Sequence, residues 1–359
     1  MKQKLIVLSA LFAAVASGQG QKVVLQPGVR GLATRAPKEM KIDGDLSEFR
    51  DAFGTPVEYF NADLKNRPAQ FFYMWDETAF YAGLRTLDTH PANQADDAHL
   101  WEGDAVEWYF DTRQDASFRD AAWPKTANCG AVHCYWTGLK GTNVQGRFCL
   151  RPGFLEAIPN KGVEVAARRT ATGMEVELKL PWANFPGFKA QMGKVIALDA
   201  ELCYSDGGPR VFRSFVYGSP LSVQQPASLG KIELVEKVEP EYWKTCGQVL
   251  TPIRSDTPWT QDVKNQVLGY MALPPNQLDA IGKVTFQILG LDGKILGEFP
   301  GERETFSADA SFTRAKARWP TDLALPGAHQ LIGIVYDKNG RELHRVAPRT
   351  VSVNMLPGY

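Results

Sequence analysis

Apolar and polar positions alternate along most of this chain with a period of two, the spacing that sends successive side chains to opposite faces of a strand. "QFFYMW" runs into the turn "DETA" and returns as "FYAGLRTLD", an aromatic-rich hairpin. "VEVAARRTATGMEVELKLPW" predicts a second hairpin with Gly173 at its turn. On its return strand Met174, Val176, Leu178 and Leu180 share one face, and Glu175, Glu177 and Lys179 share the other. In "KVIALDAELCY", Asp199 and Glu201 lie on one face with Ala197 and Cys203. Helical spacing is confined to short pieces such as "SFRDAAW", and turn residues punctuate the chain at short intervals. This pattern predicts an all-β protein. An antiparallel β-sandwich is expected over residues 40–238 and a smaller immunoglobulin-like β-sandwich over 248–359, joined by a linker at 239–247. The second unit carries strong hairpin signals, Asp-Gly in "LDGK" and Asn-Gly in "KNG".

The strand in "LWEGDAVEWYFDTR" has two distinct faces. Val106, Trp108 and Phe110 belong to a core. Glu107 and Tyr109 point the other way, and Trp101 shares their parity. An aromatic ring beside a carboxylate on an outer sheet face suits a sugar, whose C–H face packs on the ring while its hydroxyls need charged partners. The alternative is that Trp101 covers a sandwich edge and Glu107 is solvated.

Charge narrows the partner class. Forty Lys and Arg balance forty Asp and Glu, giving a formal net charge of zero. That excludes the basic excess expected of a nucleic-acid binder. Lys2 and Lys4 precede the apolar run "LIVLSALFAAVAS", so residues 1–18 read as a cleavable signal peptide and 19–39 as an N-terminal arm. The expected location is secreted or periplasmic. No later run is long and apolar enough to span a bilayer. Cys129, Cys134, Cys149, Cys203 and Cys246 are odd in number, so at least one has no intrachain partner.

Five segments then resemble, in order, family 9 carbohydrate-binding modules of the wider DOMON-like group. They are "KIDGDLSEFRDA", "YMWDETAFYAGLRTLD", "LWEGDAVEWYFD", "GMEVELKLPWANF" and "SLGKIEL". The resemblance spans about 190 residues, and it implies an antiparallel sandwich that binds poly- or oligosaccharide, with structural calcium. It places Trp101 as one of two clamping tryptophans and Glu107 as a carboxylate that takes sugar hydroxyls. His133 falls where members place an arginine, Glu201 where a glutamine sits and Cys203 where an asparagine sits. The segment that should carry the second clamp, "SPLSVQQPASLG", has no aromatic residue. Asp43, Asp45 and Glu48 are candidate calcium ligands, since clustered loop carboxylates suit a hard cation, or else a polar turn. The expected function is exported carbohydrate binding without catalysis. The alternatives are a cell-envelope scaffold or adhesion protein, and a glycoside hydrolase, which would need two carboxylates across a cleft.

Overall fold

The protein is described by a computed structural model over residues 24–354, apart from 60–66, 89, 96–98, 115–131, 141–142, 146–158, 160, 219, 224, 251–258, 261–265, 308–309, 311, 321–326 and 347. The signal peptide read at 1–18, Cys129 and Cys149 lie outside the described residues. No helix among the described residues is long and apolar enough to cross a membrane.

The first unit holds twelve strands: β1 (Val29–Arg35), β2 (Thr55–Tyr59), β3 (Arg67–Trp75), β4 (Ala79–Leu87), β5 (Ala105–Asp111), β6 (Val132–Lys140), β7 (Asn143–Gln145), β8 (Glu164–Arg169), β9 (Gly173–Pro181), β10 (Val195–Ser205), β11 (Arg210–Phe215) and β12 (Gly230–Leu234). Their order is β7-β6-β5-β10-β12-β1-β3-β4-β9-β8, with β11 on β10 and β2 on β3. Strand β1 joins the two halves. It runs parallel to β12 through Ala33 and then parallel to β3 at Thr34 and Arg35. The halves fold face to face, because each contributes one apolar face to a common core. Phe71, Tyr73, Phe80, Leu84, Val176 and Leu178 meet Val106, Trp108, Phe110, Leu198 and Leu202 there. The alternation read on 100–113 and 173–181 is therefore the alternation of the sandwich interior.

The outer faces are covered as well. On β9, Glu175 and Glu177 are buried. The turn that opens "KIDGDLSEF" seats itself there: the Asp43 and Gly44 amides both donate to Glu177 Oε2, at 2.8 and 2.6 Å. Gly44 adopts φ +90°, and a Cβ on it would stand 3.1 Å from the Ala167 carbonyl carbon. Only glycine meets both demands at little cost. Leu46 and Phe49 follow and pack with Phe72, Met74 and Tyr81 in a satellite cluster.

The second unit is a further β domain of two sheets, one of six strands and one of three. Its core includes Met271, Leu273, Phe286, Ala315 and Val335, and this cluster also takes in Val29 and Leu32 of β1 and Val235. The linker at 239–247 is folded rather than slack: Tyr242, Trp243 and Cys246 are buried in the same cluster, in a 3-10 turn and the short helix α1 (Trp243–Cys246). A cavity of about 330 Å³ opens at the junction, lined by Phe49, Arg50, Phe72 and Arg85 on one side and Pro275 and Asn276 on the other.

Candidate functional site

The register of four neighbouring strands builds one row on the outer face of the β5 half. Glu201 of β10 stands opposite Glu107 of β5, Trp136 of β6 stands opposite Glu107 on the other side, and Phe215 of β11 stands opposite Glu201. Arg213 is the register partner of Cys203. The row thus reads Trp136, Glu107, Glu201, Phe215.

The carboxylates of this row are not solvated. Glu201 is fully buried and Glu107 is 6% exposed. Tyr109 places its hydroxyl between them, 2.5 Å from Glu107 Oε2 and 2.9 Å from Glu201 Oε2. Arg213 closes on Glu201 with its planar fork: Nε donates to Oε1, and Nη2 donates to Oε2 at 2.6 Å. Cys203 Sγ lies 3.2 Å from Glu201 Oε1. Burial pushes the Cys203 thiol up, and the Glu201 charge adds to that effect. The thiol is therefore a neutral, inert part of the site floor.

Two buried aspartates frame the row. Asp199 accepts from the amides of Ala200, Tyr217 and Gly218 and from the Ser222 hydroxyl at 2.6 Å. Burial raises it to about 6 even against those bonds. Asp104 accepts from Ser205 N and Oγ and from Ala92 N at 2.6–2.7 Å. Burial, with Asp88 nearby, raises it to about 7. Asp104 ties the loop before β5 to Ser205 at the end of β10, and Asp199 ties the 217–222 segment to the middle of β10; those loops carry the rim of the candidate site.

Trp101 lies on that rim, in the 3-10 turn Leu100–Glu102. It is half-buried. With Phe215 and Val223 it packs against Leu100, Tyr109, Ala197 and Leu229. Trp101 thus flanks the apolar cluster that contains Tyr109, whose hydroxyl meets Glu107 and Glu201. His133 stands opposite Phe110, whose side chain belongs to the core; the β6 position in register with Glu107 is 136. Asp43, Asp45 and Glu48 are elsewhere, on the outer face of β9. Asp43 Oδ1 accepts from the Asp45 amide, Asp45 caps Ser47 N and pairs with Arg168, and Glu48 accepts from the Ser47 hydroxyl. These are the bonds of a polar turn. Among the described residues, the group whose ligand atoms converge within 4.8 Å is instead Glu107, Glu201 and Cys203. The Arg213 fork already occupies that group.

A model of the family "Carbohydrate family 9 binding domain-like" matches residues 42–237, more than half of the chain. The chain belongs to that family. Similarity to solved family 9 modules is low in sequence. A family 9 carbohydrate-binding module from Caldicellulosiruptor kristjanssonii, solved with cellotriose, is 16% identical with a TM-score of 0.44; the match covers 58% of this chain and 95% of that one. The same module solved with glucose gives the same identity and score over 58% and 96%. A putative carbohydrate-binding protein from Bacteroides uniformis is 11% identical with a TM-score of 0.39 over 57% and 99%. No curated protein matches the chain.

Within this family 9 domain, reading one strand at a time left Arg213 and Phe215 out of the site. The signal was present in "ELCYSDGGPRVFRSF", where Gly207-Gly208 marks a hairpin that sets Phe215 beside Glu201.

Proposed function

We propose that this is an exported protein that binds poly- or oligosaccharide on the outer face of its family 9 domain and does not cleave it. The observation that carries this reading is Tyr109, bonded to Glu107 and Glu201, within the apolar cluster against which Trp101 packs. An aromatic rim beside fixed polar groups is the chemistry a pyranose needs. The matching of neighbouring structures to cellotriose and glucose makes neutral glucans the first ligands to try.

How the two glutamates are held supports binding without catalysis by this pair. A glycosidase needs its two carboxyls about 5–10 Å apart, with the sugar between them. Here both carboxylates touch one tyrosine hydroxyl, and Glu201 is locked by Arg213. Neither is available as a proton donor across a cleft. Calcium at Asp43, Asp45 and Glu48 would require Asp45 to release Arg168, so sugar binding is expected to survive chelation. The further β domain has the role of a packed spacer, with an immunoglobulin-like sandwich as its proposed architecture.

Titration of the protein with cellotriose, before and after Trp101→Ala, tests the reading. Losing one stacked face costs about 1 kcal/mol, so affinity is expected to fall about fivefold or more, with the β-sheet circular dichroism unchanged. Equal affinity of variant and wild type would remove Trp101 from the site. A non-binding scaffold is the second reading, favoured by the half-buried state of Trp101 and the closed state of Glu201; it predicts no cellotriose binding by either protein.

A further inference from the structure

Resting on the carbohydrate-binding reading, the structure assigns the ligand-reading role on this face to Arg213 rather than Glu201.

A carboxylate has about four acceptor positions, two on each oxygen. Oε1 accepts from Arg213 Nε and Cys203 Sγ, and Oε2 accepts from Arg213 Nη2; Tyr109, whose single hydroxyl proton is shared with Glu107, lies 2.9 Å from Oε2. Glu201 is also fully buried. With no exposure and the fork across both oxygens, it is not placed to take a sugar hydroxyl.

Arg213 is in the opposite condition. Its side chain is 29% exposed. A guanidinium carries five N–H donors in a rigid fork. Two of them are held by Glu201, on the Nε and Nη2 side. The Nη1 edge makes no hydrogen bond within the described residues. The plane itself is fixed a second time, since the guanidinium carbon sits 5.1 Å from the Phe215 ring centroid. A fork held on one edge and one face presents its remaining edge in a single orientation. That edge consists only of donors, and its spacing fits two neighbouring hydroxyl oxygens of a pyranose. Glu201 is thereby a positioning residue.

The test is a calorimetric titration of the full chain with cellotriose, using wild type, Arg213→Lys and Trp101→Ala, with a thermal melt of each. Lysine keeps the charge and loses the fork. Arg213→Lys is expected to lower cellotriose affinity about tenfold or more, with the melting temperature close to that of wild type. If Arg213→Lys folds and binds cellotriose like wild type while Trp101→Ala weakens it, the sugar reading stands and the Arg213 assignment falls. Absence of wild-type binding to cellotriose overturns the assignment together with the reading beneath it. Should the lysine variant not fold, the wild-type Arg213 Nε–H signal in a ¹⁵N spectrum decides. It is expected to move on saturation with cellotriose, and an unmoved signal overturns the assignment.

Discussion

Glu177 shows how one residue can carry both a family signature and a pH dependence. Its Oε2 takes the two amides of the Asp43–Gly44 turn, while its Oε1 is buried without a partner among the described residues. Burial, reinforced by Asp43 and Glu48, raises the carboxyl to about 7 against the bonds that favour its charge. The folded state therefore holds a proton that the unfolded chain releases near 4.5. The stabilising contribution is fully present below that value and is lost as pH rises through 7. Glu177→Gln keeps an acceptor for the two amides and has no charge to bury. We expect the variant to be more stable than wild type at pH 8, by roughly 1–3 kcal/mol, and nearly equal to it at pH 4. Thermal melts at the two pH values check this. A variant less stable than wild type at pH 8 would show that the fold favours the ionised form of Glu177 instead of raising its carboxyl.

At the scale of strands, the sequence made one face legible and misjudged the other. Period-two alternation identified Val106, Trp108 and Phe110 on β5 and Met174, Val176, Leu178 and Leu180 on β9 as interior, and the sandwich packs those residues. The opposite faces carry Glu107, Glu175, Glu177 and Glu201, which alternation alone reads as solvated. They are buried because distant segments lie across them: the 41–50 turn covers β9, and the loops tied down by Asp104 and Asp199 rim β5 and β10. Coverage of that kind is long-range and leaves no local period. His133 illustrates a related limit. In "AVHCYW" neither alternation phase is clearly polar, so only pairing with β5 decides that 136, and not 133, stands across from Glu107. The candidate site was thus half legible: Trp101, Glu107 and Glu201 were read from the strand and the family resemblance, whereas Arg213 and Phe215 join the candidate row only through the β10–β11 register.

Across the whole molecule, the two β units are joined through a shared core. Trp243 of α1 is 4% exposed. Its ring lies 4.8 Å from Phe53 of the first unit and stacks at 4.8 Å on His344 of the second. Removing a buried indole leaves a cavity worth about 3–5 kcal/mol. Trp243→Ala is therefore expected to split a single calorimetric unfolding transition into two, because the lost contacts are those that couple the units. One undivided transition in the variant would mean that the coupling runs through other contacts in that cluster.

The central claim is that the framed face of the family 9 domain holds sugar. The most direct measurement is a glycan-array screen of residues 19–359, run with calcium and again with chelator. The account predicts binding to neutral oligosaccharides, retained in chelator. Absence of binding to any glycan under both conditions would contradict it and would leave the face as a covered sandwich wall.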